Sequence, residues 1–129
     1  IEALSRGAKE AVMVEKDREA VRCIKQNVQH TKMDDRSRVM PMDVMQALRR
    51  LEQAGQPFDI IFMDPPYNHE FENRVLEYLS HSPMVTEDTL IIIEASKETD
   101  FDWLSDAGFH MIKEKVYKTN KHIFAGKGA

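Results

Sequence analysis

Asp64-Pro65-Pro66-Tyr67 follows directly on the apolar run Phe58-Asp59-Ile60-Ile61-Phe62-Met63, and this junction is where the chain concentrates its chemistry. Two successive prolines fix the backbone and cannot continue a ladder, so the run reads as a buried strand leading into a rigid loop. Such a loop holds a carboxylate, outward-facing carbonyls and a flat ring in fixed relation. That set suits a planar base whose exocyclic amine is gripped by acceptors while its ring is stacked. Asp-Pro-Pro is also ordinary turn chemistry, because Asp opens turns and Pro presets the next dihedral. Position favours the chemical reading, since the ligand crevice of an open α/β sheet lies beyond the carboxyl ends of its strands.

Two further acids close earlier strands, Glu15 after the apolar run from Ala11 to Val14 and Asp43 after Val39 to Met42. Right-handed crossovers of a doubly wound sheet bring Glu15, Asp43 and Asp64 to one edge. An acid placed after a strand can accept hydrogen bonds from ribose hydroxyls, which suits Glu15; the competing reading is an acid favourably placed near the next helix's amino end. Asp43 likewise stands where it either meets a ligand or serves as an N-cap, and the two roles compete for the same oxygens.

The elements that position these acids alternate. Asp17 can cap a helix carrying Ala20, Val21, Ile24 and Val28 on one face, and Val44, Ala47, Leu48 and Leu51 mark a second helix that stops near Gly55. Phe71, Val75, Leu76 and Leu79 stripe a third, ending near His81. Thr89 to Glu94 forms a fourth strand whose continuous apolar stretch from Leu90 to Ile93 fits coverage on both faces. Trp103 and Leu104 belong to a short helix before Gly108, and Phe109 to Tyr117 with His122 to Ala125 forms a hairpin. The fold class is therefore α/β, a Rossmann-like doubly wound and mostly parallel sheet with an antiparallel C-terminal hairpin.

A length of 129 residues suits one domain, and 42% hydrophobic with 31% charged content describes a globular chain rather than a disordered or membrane-spanning one. A cytoplasmic location is expected, with no membrane partner. Cys23 is the sole cysteine, within a helical pattern, and none of His30, His69, His81, His110 and His122 forms a paired metal spacing, so no metal site is expected. A net charge of −4 is unlike a nucleic-acid binder, yet Lys113, Lys115, Lys118, Lys121 and Lys127 crowd the tail against Glu114 alone, and Lys32, Arg36 and Arg38 crowd one loop. These clusters are either solvated edges or phosphate contacts.

With these residues in place, the chain resembles the class I S-adenosylmethionine-dependent methyltransferases. More narrowly it is similar to the bacterial 16S ribosomal RNA guanine-N2 methyltransferases, through Ile1-Glu-Ala-Leu-Ser-Arg-Gly-Ala8, Val14-Glu15-Lys16-Asp17, Asp43-Val44 and Phe62-Met-Asp-Pro-Pro-Tyr67. The resemblance spans essentially the whole chain, although Asp-Pro-Pro-Tyr is shared with DNA adenine and other amine methyltransferases. It implies S-adenosylmethionine as cofactor, Glu15 with Lys16 at its ribose, and Asp43 with the Val44 backbone at its adenine. It further implies Asp64, Pro65, Pro66 and Tyr67 as the catalytic loop, and ribosomal RNA or a partly assembled small ribosomal subunit as the partner of a monomer. The family's first strand and Gly-rich loop belong immediately before Ile1, so the expectation is a single catalytic domain over residues 1–129 that is incomplete at its amino end. Lys118 stands where the family hairpin has glycine.

Rival readings remain open on the residues alone. Adenine N6 methylation poses the same chemical problem to the same loop. A non-catalytic nucleic-acid-binding fragment is a different class of answer. A nicotinamide dehydrogenase suits Glu15 but leaves Asp64 to Tyr67 without a role.

Overall fold

A computed structural model of the chain describes residues 10–15, 17–55, 57–63 and 69–128, with residues 34, 54 and 69–73 described in backbone only. The chain divides into two compact units, Ile1–Arg50 and Leu51–Ala129. Each is built around a strand-helix-strand unit.

In the first unit, β1 (Ala11–Val14) and β2 (Ser37–Met40) pair in parallel from Ala11↔Ser37 to Val14↔Met40. The connecting helix α1 (Arg18–His30) starts where Asp17, in extended conformation, accepts the Glu19 amide through its side chain. This satisfies one of the orphan donors of the first turn. Of the predicted apolar stripe, Val21 and Val28 are buried, while Ala20 and Ile24 are half-buried. The helix closes on Thr31, whose amide and hydroxyl both donate to the Asn27 carbonyl, at 3.0 and 2.7 Å. A short 3-10 turn (Asp34–Arg36) leads into β2.

The strand expected over Val39 to Met42 lies earlier, ending at Met40. Pro41 has no amide to offer the ladder, and the Met42 amide turns back to the Met40 carbonyl at 2.9 Å. Helix α2 (Val44–Ala54) follows, its Ala47 fully buried, and stops at Gly55 with φ +72°. Nothing approaches within 4 Å of a Cβ built on Gly55, so the glycine answers a backbone need rather than a steric one.

In the second unit, β3 (Ile60–Met63) and β4 (Leu90–Ser96) pair in parallel, with Met63 in register with Ile93, and α3 (His69–Ser80) connects them. The strand expected from Phe58 begins at Ile60, since the Phe58 amide donates to the Met84 carbonyl at 2.8 Å. Helix α3 buries Val75, Leu76 and Leu79 at the expected spacing. A 3-10 turn (Asp102–Leu104) precedes β5 (Phe109–Val116), which forms an antiparallel hairpin with β6 (Asn120–Lys127). The order is β3-β4-β6-β5, so β6 runs antiparallel beside β4 and β5 forms an edge.

The described strands pair in parallel within each unit, as β1-β2 and as β3-β4, and the C-terminal hairpin is antiparallel, as the sequence reading expects. One detail differs from that reading. Coverage of β4 is unequal on its faces: Ile91 and Ile93 are fully buried beside the buried Ile123 and Ala125 of β6, whereas Leu90 and Ile92 are half-buried. Their face continues to Ile60 and Phe62 on β3, which are 61% and 55% exposed.

Candidate functional site

Parallel pairing decides where Glu15 and Asp43 stand. Beyond the last pair, Val14↔Met40, the Glu15 amide donates to the Met40 carbonyl at 3.2 Å, so Glu15 and Pro41 leave the ladder at the same carboxyl edge. Asp43 comes two residues later, directly before α2, and Val44 is the first residue of that helix. The structure thus brings Glu15, Asp43 and Val44 to one edge of the first unit. All three are half-buried.

The two acids are engaged differently. Glu15 Oε1 accepts the Asp17 amide at 3.1 Å, which ties the acid to the entry of α1. Asp43 receives the Ala47 amide at 3.0 Å through its main-chain carbonyl, and its carboxylate makes no hydrogen bond among the described residues. The N-cap role that competed for Asp43 therefore does not consume its side-chain oxygens. A half-buried carboxylate at the carboxyl edge of a parallel pair, with no hydrogen bond among the described residues, is a ready acceptor for an amine or hydroxyl of a bound molecule.

Lys16 and the predicted catalytic loop, Asp64, Pro65, Pro66 and Tyr67, lie outside the described residues. What is described is the strand that delivers them. β3 ends at Met63 opposite Ile93, and β4 runs on for three residues to Ser96, paired with the first residues of β6.

At this carboxyl edge the second unit gathers a group that alternation along the sequence did not single out. Glu94 Oε1 accepts from Asn120 Nδ2 at 2.5 Å and lies 3.9 Å from His122 Nε2. The His122 ring meets Tyr117 at 4.9 Å and Phe62 at 5.9 Å, both edge to face. The overlooked signal was the period of two: Asn120 and His122 share a face of β6, but Asn120-Lys121 read as turn, and β6 was expected to start at His122. Tertiary pairing overrode that reading, for Lys121 is 7% exposed, reaching Glu114 at 3.5 Å and lying 5.5 Å from the Phe101 ring.

The lysine-rich tail divides accordingly. Lys127 donates to the Val85 carbonyl at 3.1 Å and Lys121 is buried, so both serve the fold, whereas Lys113, Lys115 and Lys118 are exposed. An open depression of about 620 Å³ bordered by Glu77, His81, Trp103 and Gly108 lies at the opposite, amino edge of β5. No group of three or more potential metal ligands occurs among the described residues, and no described helix is long and apolar enough to cross a membrane.

Comparison with known proteins gives the arrangement a context. A family model described as "Conserved hypothetical protein 95" matches residues 1–126. A Bacillus subtilis protein named provisionally as the rRNA methyltransferase YlbH is 30% identical over 100 residues, covering 78% of this chain and 54% of that protein. The Haemophilus influenzae ribosomal RNA small subunit methyltransferase D is 27% identical over 117 residues, covering 89% of this chain and 58% of its own length. The chain thus spans little more than half of these relatives. Among solved structures, a conserved hypothetical protein of Streptococcus pyogenes superimposes with a TM-score of 0.84 at 31% identity, covering 98% of this chain and 77% of that one. The α/β, Rossmann-like architecture is shared with methyltransferase structures.

Proposed function

The chain belongs to the family described as "Conserved hypothetical protein 95", and from that membership we propose that it methylates the exocyclic N2 amine of a guanine in small-subunit (16S) ribosomal RNA, using S-adenosylmethionine. Residues 1–129 are read as part of one catalytic domain. The observation that carries the reading is the pair Glu15 and Asp43 at the carboxyl edge of β1-β2, with the Asp43 carboxylate making no hydrogen bond among the described residues. The methyltransferase names of relatives support the choice of reaction.

The residues present fit a nucleoside cofactor. Glu15, beside Lys16, offers a carboxylate to ribose hydroxyls while its Oε1 stays anchored by the Asp17 amide. Asp43 accepts from an adenine amino group, and the Val44 amide, at the start of α2, is one of the donors a helix leaves free. Bound in this way, S-adenosylmethionine supplies an electrophilic methyl group.

The remaining work falls to the loop after β3. A guanine exocyclic nitrogen is a poor nucleophile because its lone pair is delocalised into the ring. Asp64 and the Pro65 carbonyl accept its N-H hydrogens, favour the tetrahedral nitrogen and stabilise the positive charge that develops there. The proton that this nitrogen would lose on accepting the methyl group would leave through the Asp64 carboxylate. Pro66 stiffens the loop, and Tyr67 stacks on the extruded base, which contributes proximity.

The test is mass mapping of nucleosides after incubating the protein with S-adenosylmethionine and small-subunit RNA or partly assembled particles. N2-methylguanosine is the expected product. N6-methyladenosine would move the substrate to adenine, and tight RNA binding with no methylated nucleoside would leave a binding module.

A further inference from the structure

We propose that Glu94 selects guanine over adenine, its Oε2 accepting the N1-H hydrogen of the target base beside the amine assigned to Asp64. This inference rests on the reading of a guanine amine as the methyl acceptor. Register places the residue. The last partners of the parallel pair β3-β4 are Met63 and Ile93; Glu94 is the next residue on β4, as Asp64 is the next in the chain after Met63. Ligands of open α/β sheets enter beyond the carboxyl ends of the strands rather than across a face, and neighbouring strands run about 4.8 Å apart. Acids that follow one parallel pair suit adjacent donors on one base edge.

The Glu94 side chain is oriented. Asn120 Nδ2 donates to its Oε1 at 2.5 Å, and Nε2 of His122, the cross-strand partner of Glu94, lies 3.9 Å from the same oxygen, beyond a hydrogen bond. Ring contacts to Tyr117 and Phe62 hold His122 in turn. Both polar neighbours thus face Oε1, and Oε2 makes no hydrogen bond among the described residues. Tying down Asn120 takes a single acceptor, which the amide oxygen of a glutamine would supply without the cost of desolvating a charge at a half-buried strand position. The carboxylate is therefore more than the link to β6 requires. Guanine presents N1-H and N2-H donors side by side on its Watson-Crick edge, whereas adenine presents a lone pair at N1. An acceptor-only carboxylate completes the first and repels the second. Asp64 to Tyr67 suit either amine, so the choice between the bases falls to a second group, and Glu94 has the chemistry for it.

The experiment measures methyl transfer by the whole protein to small-subunit RNA ligated from synthetic segments, with guanine or 2-aminopurine at the methylated position. 2-Aminopurine keeps the reacting amine but has an acceptor at N1. The parent should prefer guanine in kcat/KM by about tenfold to a hundredfold, the range of one specific base contact. Glu94→Gln keeps an oxygen for Asn120 and offers a donor toward N1, so it should erase that preference by slowing transfer to guanine, with S-adenosylmethionine affinity and circular dichroism unchanged. A merely structural Glu94 would change the rates on both bases alike. Equal rates of the parent on the two bases overturn the role of Glu94, and this comparison needs no variant to fold. Parental base preference in folded Glu94→Gln, with N2-methylguanosine still the product, removes the role alone. N6-methyladenosine as the parent's product removes the guanine reading, and the role of Glu94 with it.

Discussion

Asp17 and Asp43 occupy the same position relative to their helices, each one residue ahead of the first helical turn, and each accepts the amide four residues on through its main-chain carbonyl, from Val21 at 2.9 Å and from Ala47 at 3.0 Å. Only Asp17 adds its carboxylate, which accepts the Glu19 amide at 3.0 Å. One side chain is committed to the fold, and the other makes no hydrogen bond among the described residues.

Substitution should separate the two. Asp17→Ala removes a cap and should cost about 1 kcal/mol of stability, read from denaturant midpoints, with little change in cofactor affinity. Asp43→Ala should leave the midpoint nearly unchanged but weaken S-adenosylmethionine binding about tenfold to a hundredfold by calorimetry, the usual cost of losing a hydrogen bond to a charged acceptor. Equal cofactor affinity in Asp43→Ala and the parent removes Asp43 from the site.

Asp64→Ala should lower single-turnover methyl transfer by about a hundredfold or more, as for loss of one partner that acts mainly in the transition state. Cofactor affinity should stay within a few-fold of the parent, because Glu15 and Asp43, not Asp64, are assigned to the cofactor. Rapid-quench measurement at saturating RNA isolates the chemical step. A variant with parental turnover would remove Asp64 from the catalytic loop.

Much of this architecture was legible because it rests on local periodicity. Val75, Leu76 and Leu79 on α3, Asp17 ahead of α1 and Gly55 after α2 all declare themselves by spacing or by backbone need. Strand limits were less legible, since Phe58 and Met42 are apolar enough to extend a strand but bond elsewhere, to Met84 and Met40. Asn120 and Lys121 failed for the converse reason: polar residues that read as turn are drawn into β6 by pairing with Ser96 and Ala95. Glu15 and Asp43 were legible as strand-end acids, but which oxygens each commits is decided by neighbours, not by residue type.

Tyr78 of α3 donates to the Glu52 carboxylate on α2, a contact between half-buried groups within the second unit. Tyr78→Phe deletes the donor while keeping the ring, so it should destabilise the protein by about 1 to 3 kcal/mol, since an ionised acceptor loses its partner where water reaches it only partly. Urea unfolding followed by Trp103 fluorescence should register this as a lower midpoint with an unchanged slope. Methyl transfer at low temperature should be unaffected. An unchanged midpoint would mean that solvent replaces the tyrosine without cost.

Asn120 provides the complementary case at the carboxyl edge of the second unit's sheet. Its Nδ2 donates to Glu94 Oε1, while its carbonyl accepts the Tyr117 amide, so one residue links β4, the first residue of β6 and the turn of the hairpin. Asn120→Ala keeps the main-chain bond and removes only the side-chain link. The half-buried Glu94 then loses a donor, at a cost of about 1 to 2 kcal/mol. Because the turn has few other ties, the loss should appear locally: amide exchange at residues 117–122 should accelerate about tenfold, while the amides of Ile91 and Ile93 in the core keep their parental protection. Uniform acceleration throughout β4 and β6 would instead mean that Asn120 supports the whole sheet rather than its carboxyl edge.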